Sequence, residues 1–216
     1  MSSAPDFIVV EGPIGVGKTS LARRLAETLE ADLLLEQAEE NPFLERFYRD
    51  PRGGALPTQL HFLFQRARQM QGLRQTDLFR QRLVADYLLE KDRLFAATTL
   101  DDDEYRLYEQ VYERLAPEAS KPSLVIYLQA PVEVLLERVA RRGRSFERHI
   151  QPEYLRRLVD AYARFFLYYE AAPLLIVNAA TIDLVADSCD DFQQLVGLLY
   201  ETRSGRHYLN PKPCFP

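Results

Sequence analysis

The feature that most constrains this chain is a glycine-rich segment that follows a short apolar run near its amino terminus. The run covers residues 7–10, and the segment GPIGVGKT follows at residues 12–19. It matches G-x-x-x-x-G-K-[ST], the phosphate-binding loop, in the expected setting after a strand and before a helix. Glycines let the backbone wrap around phosphate oxygens, and the helix presents its positive end to them. The sequence therefore predicts a site for nucleotide phosphates.

ATP and Mg²⁺ are the cofactors that this loop predicts. Lys18 is expected to bridge the β- and γ-phosphates, and the Thr19 hydroxyl to hold Mg²⁺. Asp86 follows the apolar run at residues 83–85, and a carboxylate at a strand end can reach the metal. Alternatively, Asp86 caps the helix that follows. The residues assigned to the phosphates are Gly12, Pro13, Ile14, Gly15, Val16, Gly17, Lys18, Thr19 and Ser20.

The rest of the chain alternates short apolar runs with helical patterns. Strands are predicted at residues 7–10, 32–35, 83–85, 124–128 and 174–177. Helices are predicted at residues 18–30, 57–72, 88–98, 102–115, 131–141, 153–171 and 190–202. This order predicts an α/β fold with a mainly parallel sheet, whose ligands bind beyond the carboxyl ends of the strands. The residues after 202 include three prolines and are predicted to form a loose tail.

Bulk composition narrows the possible partners. The 216 residues fit one α/β domain, and a net charge of −5 argues against nucleic acid. No apolar run approaches the ~20 residues that cross a bilayer, and the first residues lack a secretory signal pattern. The two cysteines, Cys189 and Cys214, have no metal-ligand or redox spacing. We therefore expect a cytoplasmic protein with no membrane or nucleic-acid partner.

Two groups of residues suggest a pocket for a phosphate acceptor. Glu36 follows a predicted strand, so its carboxylate should lie near the phosphates and could take a proton from a hydroxyl. Gln59, Phe62 and Arg66 share one helical stripe, which suits a pocket that stacks a flat ring and hydrogen-bonds its edge. Alternatively, Glu36 is ordinary loop charge, and Gln59 and Arg66 lie in water at the margins of the stripe.

A cluster of arginines around Gly143 is the third indication of phosphoryl transfer. Gly143 is expected to end a helix, and the basic segment around it to form a flexible lid. Guanidinium groups neutralise charge on a transferring phosphoryl group, although such a run can also be a solvated basic surface. The arginines of the cluster are Arg138, Arg141, Arg142, Arg144 and Arg148.

With these motifs in view, the chain resembles the deoxynucleoside kinase family from residue 7 to about residue 198. The likeness is to its bacterial deoxyadenosine and deoxyguanosine kinase branch, where stretches like EENPFLERFYRDP and EKDRLFA recur. The resemblance implies a P-loop kinase fold with a mainly parallel sheet flanked by helices and an Arg-rich lid. It implies a kinase domain over residues 1–202 with a tail at 203–216, and a homodimer. The implied activity is transfer of the ATP γ-phosphate to the 5′-hydroxyl of a deoxynucleoside, with purines preferred.

The resemblance also implies roles for single residues. Glu36 falls on the general base, Tyr48 and Glu147 on contacts to the sugar 3′-hydroxyl, and Arg142, Arg144 and Arg138 on lid arginines that contact phosphate. The base pocket falls on Gln59, Arg66 and Asp92, to which the helical stripe adds Phe62.

One departure concerns position 87. The family commonly has an arginine directly after the acid, and this chain has Tyr87 there. What replaces that positive charge is left open by the sequence.

Two other functions share the phosphate loop. A nucleoside monophosphate kinase of the thymidylate-kinase type would need arginines in its acceptor pocket, where this chain offers Glu36, Tyr48 and Glu147. A non-enzymatic nucleotide switch would carry a base signature such as N-K-x-D, which the sequence lacks.

Overall fold

The computed structural model describes residues 4–76, 82–115, 121–180 and 190–210, and its centre is a parallel sheet. Within these ranges the sheet has six strands in the order β2-β3-β1-β4-β5-β6. Neighbouring strands pair in parallel throughout. The strands are β1 (Phe7–Glu11), β2 (Asp32–Leu34), β3 (Leu83–Ala85), β4 (Leu124–Gln129), β5 (Leu174–Asn178) and β6 (Arg206–Leu209). The predicted fold class is thereby confirmed.

Helices cover the sheet and connect its strands. They are α1 (Lys18–Thr28), α2 (Leu44–Arg49), α3 (Pro51–Thr76), α4 (Lys91–Thr99), α5 (Asp102–Leu115), α6 (Val132–Arg142), α7 (Pro152–Leu167) and α8 (Asp190–Glu201). The central strands β1 and β4 are apolar up to their last residues, Glu11 and Gln129, and this apolar part is mostly buried on both faces, as expected for strands between two helical layers. Among the described helices, none is both long and apolar enough to cross a membrane.

Because the strands run parallel, their carboxyl ends meet at one edge of the sheet. β1 lies between β3 and β4, so the residues that follow β1 and β3 are neighbours there. β2 pairs with β3 on the other side, which brings the residues after β2 to the same edge. This edge therefore gathers the loops that carry Gly12, Glu36 and Asp86.

Helix α3 begins earlier than the sequence predicts. A start at Pro57 was expected because proline suits the first turn of a helix. The helix instead begins at Pro51, and Pro57 lies inside it. The intervening Gly53 and Gly54 read as a loop in the sequence but serve close packing instead. A Cβ on Gly54 would lie 2.6 Å from the Cα of Phe47, so α2 and α3 touch through backbone at this point.

The carboxyl-terminal segment is the second correction. The sequence predicts a loose tail after residue 202, but Arg206–Leu209 pairs with β5 as the edge strand β6. Leu209 is buried there, so a single apolar anchor accompanies the backbone pairing. The three prolines, Cys189 and Cys214 lie outside the described residues.

Candidate active site

The phosphate-binding loop lies between β1 and α1, as predicted. Helix α1 begins at Lys18 and is preceded by Gly17, whose φ of 105° lies in the left-handed region that glycine tolerates. The Lys18 ammonium donates hydrogen bonds to the carbonyl oxygens of Gly12 (2.7 Å) and Pro13 (3.1 Å). Burial and repulsion from Lys91 lower the pKa of Lys18 to about 8. The lysine is thus folded back over its own loop, where phosphate oxygens can replace the two carbonyls.

Thr19, Asp86 and Glu36 form a connected chain beside this loop. The Thr19 hydroxyl donates to Asp86 Oδ2 at 2.6 Å, and the Glu36 backbone N–H donates to Asp86 Oδ1 at 2.7 Å. Burial raises the pKa of Asp86. The residue that precedes α4 is Glu90, so Asp86 is not the cap of that helix, and the capping alternative is wrong.

A hydroxyl and a carboxylate side by side are the hard oxygen ligands that Mg²⁺ prefers in such a site. No cluster of three or more His, Cys, Asp or Glu residues with metal-binding geometry occurs in the described ranges. That finding is compatible with Mg²⁺, since this ion keeps waters and phosphate oxygens as most of its ligands. Thr19 and Asp86 therefore fit the expected metal.

Glu36 is the centre of a buried charge cluster at the acceptor side. Arg66 binds Glu36 through one guanidinium nitrogen and Asp92 through the other. The second carboxylate oxygen of Glu36 accepts a hydrogen bond from Lys91 Nζ at 3.1 Å. Burial raises the pKa of Glu36, but Lys91 and Arg66 outweigh burial and hold it well below its usual value. Glu36 is therefore ionised at neutral pH, and the interpretation as ordinary loop charge is wrong.

The stripe on α3 faces inward, contrary to the alternative that its polar residues lie in water. Gln59 and Arg66 are each 2% exposed. Gln59 donates to the Thr99 hydroxyl at 3.3 Å, and the Arg66 guanidinium lies over the Phe62 ring at 5.0 Å. Asp92 has no exposed surface and supports Arg66 from behind. One cavity is lined by residues of the phosphate loop and of the acceptor side together: Lys18, Thr19, Glu36, Tyr48, Gln59, Phe62, Arg66, Asp86, Arg142, Arg144 and Glu147.

The lid is more structured than the sequence suggests. Helix α6 ends at Arg142 with Gly143 after it, as predicted, but Ser145–His149 then form a 3-10 helix. Its Glu147 is buried and accepts a hydrogen bond from Arg142 Nε at 3.0 Å. Arg144 pairs with Glu39 at 2.7 Å. The Arg142–Glu147 pair lies within the lid, and the Arg144–Glu39 pair holds the lid to the body of the protein.

Tyr48 and Arg138 occupy different parts of the site. Burial, Tyr154 and the Glu147 carboxylate raise the pKa of Tyr48 well above its usual value, which places Tyr48 close to the lid. Arg138 donates to the carbonyl oxygens of Ala179 (2.8 Å) and Val16 (3.4 Å). In this arrangement Arg138 ties the phosphate loop to the residue after β5.

Glu11 is a buried residue of the site that the sequence reasoning missed. Its Oε1 accepts hydrogen bonds from the Gly12 N–H (2.8 Å) and the Tyr162 hydroxyl (2.9 Å). Its Oε2 accepts from the Leu88 N–H at 2.8 Å. The carboxylate therefore joins the phosphate loop to the segment after β3 and to α7. An acid that ends an apolar strand directly before the loop was the available signal.

Lys91 is the second residue that was missed. It is 3% exposed and lines the same cavity as Glu36 and Lys18. Its signal was its place in the stretch EKDRLFA, next to Asp92. Tyr87, the departure noted above, is buried and donates its hydroxyl to Gln69 Oε1 at 2.7 Å.

Comparison with known proteins identifies relatives of the whole chain. A family model described as "Deoxynucleoside kinase" matches residues 8–197. The deoxyguanosine kinase of Bacillus subtilis is 33% identical over 206 residues, covering 93% of this chain and 99% of the relative. The deoxyadenosine kinase of Dictyostelium discoideum is 32% identical over 215 residues, covering 96% of this chain and 84% of the relative.

Solved structures show the same fold. The deoxyadenosine kinase of M. mycoides with its products dCMP and a flexible dCDP bound superposes with a TM-score of 0.77 at 25% identity. That match covers 90% of this chain and 99% of the other. The same enzyme with bound dATP gives a TM-score of 0.75 at 25% identity, covering 92% of this chain and 100% of the other.

Proposed function

This chain belongs to the deoxynucleoside kinase family, and from that premise we propose that it transfers the γ-phosphate of ATP to the 5′-hydroxyl of a purine deoxynucleoside. The observation that carries the proposal is the shared cavity, which is lined by both the phosphate-loop lysine and a partly buried, ionised Glu36. A lysine for the donor and a carboxylate for the acceptor are the two parts that hydroxyl phosphorylation needs.

In the transfer step, the 5′-oxygen of the acceptor forms a bond to the γ-phosphorus. The bond from that phosphorus to the β,γ-bridging oxygen breaks, and its electron pair leaves with ADP. Glu36 accepts the hydrogen bond of the acceptor hydroxyl and finally its proton. Two cations keep the pKa of Glu36 low, so it is a weak base that mainly orients the hydroxyl and takes the proton late. The positive charges of Lys18, Arg142 and Arg144 neutralise the negative charge of the phosphates.

Mg²⁺ is the proposed metal, and Thr19 and Asp86 are the residues that would hold it. When bound, it neutralises charge on the β- and γ-phosphates. The proposed contribution of this chain is to keep the two oxygen ligands next to each other and next to Glu36.

The base preference is proposed from the buried polar stripe on α3. Gln59 offers an amide, and Arg66 offers a guanidinium held from behind by Asp92. Both side chains are buried, so a ring edge whose donors and acceptors do not match theirs is left with unpaired groups, and a matching ring edge is selected. The names of the relatives, deoxyguanosine and deoxyadenosine kinases, agree with a purine.

The acceptor distinguishes this proposal from a monophosphate kinase. Glu36, Tyr48 and Glu147 line the acceptor side and would repel or leave unpaired a phosphate already on the substrate. We expect ADP release with deoxyadenosine and ATP, and little with dAMP or thymidylate. The Lys18→Ala protein should keep its fold and lose transfer in both assays. Faster turnover of a monophosphate than of its nucleoside would contradict the proposal, as would ADP release that needs no acceptor.

A homodimer and a cytoplasmic location are proposed as well. The support for a dimer is that large apolar side chains are exposed, among them Leu107 (48% exposed), Leu167 (57%) and Tyr168 (79%). Sedimentation of the purified protein at micromolar concentration tests the dimer directly.

A further inference from the structure

In the function proposed so far, Lys91 acts only as one of the two cations beside Glu36, although it lines the cavity itself. It is the first residue of α4, it is 3% exposed, and its ammonium contacts Glu36 Oε2 at 3.1 Å. Burying a lysine is unfavourable unless its charge is paired. The burial of Lys91 beside Glu36 therefore suggests a function in the site.

The ion pair with Glu36 explains only part of the position of Lys91. A cation in the first turn of a helix is opposed by the positive end of the helix macrodipole. Arg66 is shared between Glu36 and Asp92, so Lys91 balances the second of these two carboxylates. An ammonium has three hydrogens to donate, so Lys91 can bind Glu36 and an anion in the cavity at the same time.

The position of Lys91 indicates which anion that is. Lys91 is close enough to Lys18 for the two ammonium groups to repel each other, and both line the cavity that holds Glu36. In the proposed reaction, the acceptor oxygen that Glu36 binds is the atom that forms the bond to the γ-phosphorus. A cation that binds Glu36 is therefore placed beside the transferring phosphoryl group, in the same cavity as the lysine of the phosphate loop.

The cavity is lined by five cations besides Lys91. Lys18 and Arg23 belong to α1, and the three others are held by carboxylates: Arg66 by Asp92 and Glu36, Arg142 by Glu147, and Arg144 by Glu39. Position 87, after β3, supplies no charge, because Tyr87 is turned to Gln69. Lys91, four residues further along the chain, places a positive charge beside Glu36.

We propose that Lys91 is a catalytic residue, whose ammonium binds the oxygens of the transferring phosphoryl group on the acceptor side and takes the place of the arginine absent at position 87. Glu36 holds Lys91 there before the substrates bind. As the acceptor oxygen bonds to phosphorus and the bond to ADP breaks, charge on the equatorial oxygens lies between Lys91 and Lys18. The inference rests on the proposed kinase activity and adds a residue to it.

Three variants test this role. Lys91→Met removes the charge and keeps the length of the side chain, Lys91→Arg keeps the charge, and Arg93→Met removes an exposed charge from the same helix. Arg93 pairs with Glu109 and its side chain is 47% exposed, so it is the matched control. The measurements are kcat and KM for deoxyadenosine and ATP, together with the melting temperature.

Lys91→Met should lower kcat about 10²-fold, the typical loss when one charge-stabilising donor is removed, with KM values changed less than about threefold. Lys91→Arg should retain at least about tenfold more kcat than Lys91→Met, because the charge remains. Arg93→Met should behave as wild type. If Lys91→Met does not fold, Lys91→Gln gives the same comparison with a neutral amide that still bonds Glu36.

The proposal is overturned if the neutral variant has kcat within about threefold of wild type, if its loss lies in KM alone, or if the Arg and neutral variants are equal. In each of these cases wild-type turnover of deoxyadenosine and its loss in Lys18→Ala leave the kinase assignment standing. A wild-type protein that transfers no phosphate to any deoxynucleoside overturns both.

Discussion

Single residues at the acceptor side act as a coupled group. Arg66 binds Glu36 and Asp92 at once, and Lys91 binds the other oxygen of Glu36. Each carboxylate oxygen can accept a further hydrogen bond, so Glu36 can still receive the acceptor hydroxyl. Removing any one of these residues takes a charged partner away from another residue of the group, which is why substitutions here should affect activity far more than exposed ones.

Glu36→Gln tests the carboxylate itself. The amide keeps the shape and can accept a hydrogen bond but cannot take the proton. We expect kcat to fall toward the lower end of the usual range for a general base, about 10²-fold, because a carboxylate with a lowered pKa is a weak base. Asp86→Asn is the contrasting variant, whose defect should depend on Mg²⁺ concentration. Near-normal kcat for Glu36→Gln, or repair by added Mg²⁺, would remove Glu36 from this role.

The pH dependence of the wild-type protein follows from the same charges. The pKa of Glu36 is lowered, so the carboxylate stays ionised as the pH falls from neutral through the usual glutamate range. Glu36 should therefore cause no loss of kcat between about pH 7 and 5. A profile of kcat against pH at saturating substrates measures this. A fall in kcat within that interval that is absent from Glu36→Gln would show that the two cations do not keep Glu36 ionised.

Asp92→Ala tests base selection through Arg66. Without Asp92, Arg66 loses the partner that fixes its direction, and the cost is about 1–3 kcal/mol for each buried group left unpaired. We expect kcat/KM for deoxyadenosine to fall relative to that for thymidine. Asp103→Ala, whose side chain is 91% exposed, is the control and should leave the ratio unchanged. An unchanged ratio in Asp92→Ala would exclude Asp92 from base selection.

Among the elements, α3 and the lid decide the shape of the acceptor pocket. Helix α3 carries Gln59, Phe62 and Arg66 on one stripe, and its start packs against α2, which carries Tyr48. Glu147 of the lid lines the same cavity and lies close to Tyr48. The separation of Tyr48 from the stripe on α3 depends on how closely α2 and α3 approach each other.

Gly54→Ala should destabilise the protein through that approach. The added methyl would meet the backbone of Phe47 at 2.6 Å, which cannot move without shifting α2. We expect a loss of about 1–3 kcal/mol in the free energy of unfolding, as for other overpacked sites. Gly72→Ala, in the same helix with nothing within 4 Å of the new Cβ, should instead be neutral or stabilising. Equal urea midpoints for the two variants would contradict this account of the α2–α3 contact.

Tyr48→Phe combined with Glu147→Gln tests whether Tyr48 of α2 and Glu147 of the lid bind the sugar 3′-hydroxyl. Both residues line the cavity, and a site built to bind a hydroxyl discriminates against analogues that lack it. The ratio of kcat/KM for deoxyadenosine to that for 2′,3′-dideoxyadenosine should fall about tenfold or more in the double variant. Tyr168→Phe with Glu170→Gln changes an exposed pair of the same types and serves as the control. The assignment fails if both double variants keep the wild-type ratio.

At the scale of the whole molecule, the sequence predicts the framework better than the contacts. The phosphate loop, the central strands and Gly143 at the end of α6 follow from local chemistry, and the structure confirms them. The start of α3 was wrong because Gly53 and Gly54 look like a loop unless their neighbour Phe47 is known. Strand β6 was missed because an edge strand needs only backbone pairing and one buried leucine.

The residues of the site were also predicted only in part. Glu36, Arg66 and Asp86 were expected from their places at strand ends and on one stripe, and the structure brings them together. Glu11 and Lys91 were not, because a charged residue in a sequence reads as solvent-exposed until its burial is seen. The roles assigned to these residues remain predictions.

We propose that one cavity joins an ATP site to a purine deoxynucleoside site, and a panel of substrates distinguishes this from the alternatives. The measurement is kcat/KM with Mg-ATP for deoxyadenosine, deoxyguanosine, deoxycytidine and thymidine, with product identified as the 5′-monophosphate. We expect that a purine deoxynucleoside gives the highest value and thymidine the lowest. Highest activity with thymidine, or phosphate on any position other than the 5′-hydroxyl, would contradict it.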